Sequence, residues 1–245
     1  MFSKEVKDTY PLLRFDELEN YMLAYEDRYY SRVIPKERER NELIGHKGVI
    51  FLLQSLQRSR CLFNGLIDCV NQTHVVLAYL ATRAHFETTG SVAYLLWNLR
   101  RFYKSEISYR EIEDVLAKLA LGIKTFPDKE IPPVRIEPIN VLTQIDVADK
   151  LFKDSEGMNL RIFRQCYDFL SEFCHPNMLG LMVGSDVTKD RSLVLYEKPG
   201  FREEDFGTLI YHMLISCHSF FYAYDESFSL LKDHELMPDL MKSEK

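Results

Sequence analysis

Apolar residues recur at spacings of three and four along most of this chain, and that period predicts helices. Residues 36–71 open with a charged turn. They continue as Val49, Ile50, Leu52, Leu53 and Leu56, then Leu62, Phe63, Leu66 and Ile67, which predicts one amphipathic helix or two broken near Arg60. Thr73 is placed to cap the next helix, over 75–103, which is apolar on nearly every side and so belongs at the centre of a bundle. Ser108 and Glu111 have capping-box spacing ahead of Ile112, Val115, Leu116 and Leu119, and Gly122 ends that helix. A proline-rich connector over 126–138 leads to a short helix at 139–152. Gly157 separates it from a helix over 160–174.

The period changes after Pro176. Two short apolar runs, Leu179 to Val183 and Ser192 to Tyr196, flank a polar turn, and they predict a β-hairpin over 179–197. Glu203, Glu204 and Asp205 then open a last long helix reaching about Leu231, their charges matching its N-terminal dipole. Residues 1–35 read as an N-terminal arm with a short helix from about Asp16 to Tyr30. No repeat or linker divides the chain. The expected architecture is one all-α domain over 1–245, a helical bundle with a hairpin between its last two long helices.

Composition sharpens this picture. The 245 residues suffice for a sizeable core, and only 10 are glycine, which argues against a turn-rich all-β fold. The net charge of -6 opposes generic DNA or RNA binding, which draws its affinity from a basic field. The five cysteines include no C-x-x-C pair and sit in apolar helical contexts, where they read as reduced core thiols. No signal-like apolar region opens the chain. Arg83 and Glu87 interrupt its longest weakly charged run, so the expectation is a soluble cytoplasmic protein that does not enter a membrane.

Chemistry concentrates in two places. Arg83 and Glu87 are the only charges between Thr73 and Arg100, and their i,i+4 spacing puts them on one face of the central helix. They suit an ion pair that sets packing, or a polar pocket in which Arg83 holds an anion and Glu87 acts as base or ligand. Tyr167, Ser171 and His175 share an edge of the later helix, which Pro176 stops. Glu172 and Asn177 are placed to orient His175, either as a general acid/base or as a structural helix cap. His175 could thereby join Arg83 and Glu87 in one polar centre. His212 and His218 are six apart, poor spacing for a shared metal, and no zinc, phosphate-loop or nucleophile-elbow motif occurs. No metal or cofactor is expected.

The segment Ala81-Thr82-Arg83-Ala84-His85-Phe86-Glu87 has an R-x-x-x-E pattern, and Tyr167, Leu170, Ser171, His175 and Pro176 form Y-x-x-L-S-x-x-x-H-P. Together they resemble bacterial all-α protein families near the HEPN superfamily. That resemblance implies a role in toxin–antitoxin or phage-defence systems, where many members are ribonucleases. The ribonuclease signature pairs an Arg with a His, with four to six residues between them. Arg40, followed by Asn41, and His46 fit it, a match that a chain with this many Arg and His makes about once by chance. Two functions follow as expectations. One is a binding or regulatory component. The other is a metal-independent ribonuclease using His175, or Arg40 and His46, with Arg83 steadying the phosphate. The expected partners are a specific RNA, a nucleotide or small anion, and a second copy; Tyr21, Tyr25, Tyr29 and Tyr30 fit equally a dimer interface or an N-terminal arm packed on its own bundle.

Overall fold

The computed structural model of the chain describes residues 1–34, 42–123, 136–156, 161–197, 200–234 and 237–242. The elements run α1 (Lys4–Thr9), α2 (Phe15–Asp27), β1 (Arg32–Ile34), α3 (Glu42–Asn71), α4 (Val75–Tyr103), α5 (Tyr109–Leu121) and α6 (Val141–Glu156). They continue as α7 (Ile162–Cys174), α8 (Met178–Met182), β2 (Ser185–Val187), β3 (Leu193–Leu195), α9 (Glu203–Asp233) and β4 (Asp239–Met241). Among the described residues this is a helical bundle with two small antiparallel strand pairs, β1 with β4 and β2 with β3. Among the described residues no helix is long and apolar enough to cross a membrane.

α4 is the axis. It packs against α3, α5, α6, α7 and α9, and Phe86, Val92, Ala93, Leu95, Leu96 and Leu99 on it are sealed from solvent. A helix covered on so many sides must satisfy its polar side chains internally. Thr82, Thr89 and Asn98 do so partly by donating to carbonyls one turn back, those of Ala78, His85 and Tyr94. Gly90 lets α6 approach closely, since a Cβ there would stand 3.1 Å from Ile145 Cδ1.

His85 is the largest polar group that α4 must bury, at 0% exposure. Its Nε2 lies 2.7 Å from Ser59 Oγ on α3 and 3.0 Å from the Tyr25 hydroxyl on α2. Its Nδ1 lies 2.7 Å from Ser216 Oγ on α9. Tyr25 and Ser59 also bond each other at 2.6 Å, and Ser216 bonds Thr89 at 3.1 Å. A neutral imidazole offers one donor and one acceptor, and hydroxyls can answer both. One ring thereby joins four helices.

α3 runs unbroken past Arg60, the single-helix alternative of the sequence reading. Other elements depart from expectation. Thr73 does not cap α4; it takes a positive φ of 58° in the turn, and His74 is the N-cap. Residues 1–34, by contrast, pack on their own bundle, one of the two readings of the tyrosine-rich arm, with Phe2, Phe15, Leu18 and Tyr25 in the core. Three of the four tyrosines take part in that packing. Tyr25 is buried, Tyr21 stacks on Phe221 and Tyr30 on Phe228, while Tyr29 alone is exposed. Residues 179–182 are helical rather than a strand, so the hairpin begins at Ser185. Of the cysteines, all free, Cys166 and Cys217 are buried but Cys61 is exposed, so it is not a core thiol. The expected capping box at Ser108 and Glu111 is present, and Gly122 is the C-cap. The connector at 126–138 and Gly157 fall largely or wholly outside the described residues.

Burial pushes His85 down to about 3 and His212 down to about 4. In the unfolded chain both take a proton near pH 6.5. Between those values the unfolded state binds more protons, so stability is complete above pH 6.5 and falls as pH drops below it. Each ring costs about 3 kcal/mol by pH 4, on the order of half a typical domain's stability between them. Denaturant unfolding from pH 7 to pH 4 should show this loss. His212→Phe, which removes an imidazole already packed edge-on against Phe86 and Phe169, should make the slope markedly shallower.

Candidate functional site

α7 buries Phe163, Cys166, Tyr167, Leu170 and Phe173, an i, i+3, i+4, i+7, i+10 stripe facing α4, α6 and α9. Tyr167 is the polar member of that stripe. Its hydroxyl accepts from Arg83 Nη2 at 3.0 Å and donates to Glu87 Oε1 at 3.2 Å. Arg83 and Glu87 also pair directly at 3.3 Å, and the guanidinium lies 5.3 Å from the Tyr167 ring centre. The three groups form a closed clamp between α4 and α7. It is half-buried, with Arg83 and Glu87 side chains 24% and 29% exposed. Arg83 Nε finds no hydrogen-bond partner among the described residues.

Cys174, seven residues beyond Tyr167, is the next α7 side chain to reach the clamp. Burial pushes its thiol up, Glu87 adds to that, and neighbouring Arg83 pulls part of the way back. His175 does not occupy this place. It is the C-cap in extended conformation, φ -102° and ψ 150°, as a residue before proline must be, and it is exposed. Among the described residues no hydrogen bond or ion pair joins it to Arg83 or Glu87. The helical edge drawn through Tyr167, Ser171 and His175 therefore breaks at its last member.

The other predicted residues have structural partners. Ser171 Oγ donates to the Tyr167 carbonyl at 2.8 Å. Asn177 is the N-cap of α8, where its Oδ1 accepts from Gly180 N–H at 3.0 Å. Its Nδ2 donates to Glu172 Oε2 at 2.6 Å, tying α8 back to α7. Gly180 must be small, because a Cβ would collide with the His175 carbonyl. His46 is half-buried on α3, and Arg40 lies outside the described residues. His212 is buried and His218 exposed. No group of three or more His, Cys, Asp or Glu able to hold a metal occurs among the described residues.

What the His-Pro-Asn junction does is launch a roof. α8 and the β2–β3 hairpin fold over one end of the bundle and enclose a cleft of about 480 Å³. Its floor is Tyr79 from α4 stacked on Phe173 from α7, ring centres 4.1 Å apart and planes 5° from parallel. Phe169, Phe201 and Tyr196 complete an aromatic wall. At the mouth Arg202 pairs with Asp205 at 2.7 Å, which leaves Asp186 of β2 as surplus negative charge. Burial, with Asp205 nearby, pushes the Tyr79 hydroxyl well up, so it stays a neutral phenol. Nothing in the sequence joined Tyr79, Tyr196 and Asp186. They come from three separate elements, and only the α8 turn brings them together.

The chain matches no family model, no curated protein and no solved structure.

Tyr167→Phe deletes the hydroxyl that bridges Arg83 and Glu87 and leaves both half-buried. It should lower stability by about 1–3 kcal/mol in denaturant titrations. A variant as stable as the wild type would mean the clamp contributes nothing to holding α7.

Proposed function

We propose that this protein is a binding or regulatory component rather than a catalyst, and that the cleft beneath the hairpin is its binding site. The observation that carries this reading is a contrast. Arg83, Glu87 and Tyr167 are engaged with one another, and His85 is enclosed by hydroxyls. The cleft, by comparison, is lined by Tyr79, Phe169, Phe173, Phe201 and a half-exposed Tyr196 beside a carboxylate. Binding sites of this kind are concave and mostly apolar, with a few polar groups to set orientation.

The chemistry of the cleft selects its ligand. Stacked Tyr79 and Phe173 favour a flat or aliphatic group. Asp186 and Asp205 against one Arg202 favour a positive charge on it and disfavour an anion. The fitting class is an aromatic or apolar group bearing an amine or guanidine, free or on a protein segment. The clamp of α7 to α4 has a part in this, since Phe169 and Phe173 stand on the helix that Tyr167 anchors.

A ribonuclease would need an imidazole and a cation converging on one phosphate. Here the Arg83 guanidinium is committed to Tyr167 and Glu87, and among the described residues no hydrogen bond joins it to His175.

Titrating labelled protein with tryptamine, 3-methylindole and indole-3-acetate, followed by NMR, tests the reading. Tryptamine should perturb Tyr79 and Phe173 most and the indole acid least, and Asp186→Ala should narrow that difference. No perturbation by any of the three would remove the cleft as a site. Cleavage of RNA by the purified protein, abolished by His175→Ala, would replace the binding reading with the ribonuclease one.

A further inference from the structure

The β2–β3 hairpin roofs the cleft without being fastened to the bundle beneath it. Its register pairs Ser185 with Leu195, Asp186 with Val194 and Val187 with Leu193. Every residue from Asp186 to Glu197 is exposed. Among the described residues, each hydrogen bond made by 186–197 ends within the hairpin or on Gly184. The bundle side of the cleft is the opposite case, with Tyr79, Phe173 and Phe201 at most 9% exposed.

The hairpin nevertheless holds its own shape. An isolated two-stranded hairpin is marginal in water, but here side chains brace the turn. Thr188 Oγ1 lies 2.6 Å from Ser192 Oγ, and Asp190 Oδ1 accepts from Ser192 N–H at 3.2 Å and from Ser192 Oγ at 2.6 Å. Strand pairing and this turn tie 185–197 to one another, so the unit free to move is the whole hairpin. Where it leaves α8, Gly184 holds a φ of 86°, a conformation that glycine takes at no steric cost. On the far side, a Cβ at Gly200 would meet nothing within 4 Å, so no packing restrains the chain there.

Charge gives the roof a reason to close. Strand alternation puts Asp186 and Tyr196 on one face, and both line the cleft together with Arg202 and Asp205. Tyr196 is still 50% exposed there, which leaves apolar surface for closure to cover. Arg202 Nε donates to Asp205 at 2.7 Å; that bond pushes the guanidinium up, and Asp186 adds to it. The Arg202 side chain is 80% exposed, and so exposed a pair is weak.

We propose that the hairpin is a lid that closes over the cleft as one unit, about Gly184 and Gly200, when a ligand cation displaces Arg202 and bridges Asp186 on the lid to Asp205 on α9. This rests on the reading of the cleft as a binding site, and it adds how that site is filled. The lid stands open to admit the ligand, and the ligand's charge shuts it. A neutral ligand of the same shape enters without shutting it.

Double electron–electron resonance on the full chain reads the position of the lid. Nitroxides go on Lys189→Cys in the turn and Tyr211→Cys on α9, in a Cys61→Ser background; both sites are exposed and lie outside the cleft lining. The free protein should show a broader spread of distances than a reference pair within the bundle, Lys104→Cys with Tyr211→Cys. Saturating tryptamine should collapse that spread to one narrow peak. Saturating 3-methylindole should leave it broad, and so should tryptamine on Asp186→Asn. A free protein with a single narrow distance overturns the lid. So does tryptamine that shifts the Tyr79 and Phe173 resonances yet leaves the spread broad, or 3-methylindole that narrows it as well as tryptamine does. Absence of any shift at Tyr79 and Phe173 is the separate failure of the cleft as a site, and the lid falls with it.

Discussion

The structure depends on keeping an imidazole neutral in the middle of the bundle. α4 is too thoroughly covered for His85 to reach water, and no carboxylate stands against the ring to support a charge. Three hydroxyls, from Tyr25, Ser59 and Ser216, meet its two nitrogens from three other helices. Each of those helices must hold its rotation and height for the set to close, because a buried group left without its partner costs about 1–3 kcal/mol. Apolar contacts supply most of the bundle's stability. The polar set adds a single way of assembling it.

Around that axis the remaining polar pairs decide where the outer helices sit. Arg28 reaches across from α2 to chelate Asp225 on α9, with both contacts at 2.7 Å. Tyr167 holds α7 to Arg83 and Glu87. The end of α7 then sets the roof: Pro176 forces the chain out of the helix, Asn177 starts α8, and the hairpin follows. Residues that resemble catalytic apparatus by type are thus used to position the walls of a cleft. The surface we propose for binding is the apolar and aromatic lining of that cleft.

Much of this fold is legible in the sequence, for identifiable reasons. α4 and α9 declare themselves by long unbroken apolar periodicity, and α5 by a capping box that needs only local bonds. The pairing of Arg83 with Glu87 follows from i,i+4 spacing. What stays hidden depends on distant partners. His85 looks like any histidine in a helix until Ser59 and Ser216 arrive from elsewhere in the chain. Leu179 to Val183 has the residues of a strand, yet the Asn177 cap makes most of it helix. Cys174 rather than His175 reaches Arg83, because the residue before a proline leaves the helical path. The β1–β4 pair joins the two ends of the chain and has no local signature.

Observing the His85 ring directly tests whether the bundle is organised around a neutral imidazole. Nitrogen-15 NMR of histidine-labelled protein distinguishes the neutral ring from the charged one and follows it through a pH titration. The account predicts a single neutral tautomer for His85, unchanged from about pH 8 to pH 5 while an exposed histidine would titrate near 6.5. A His85 ring that takes up its proton near 6.5 with the protein still folded would contradict it.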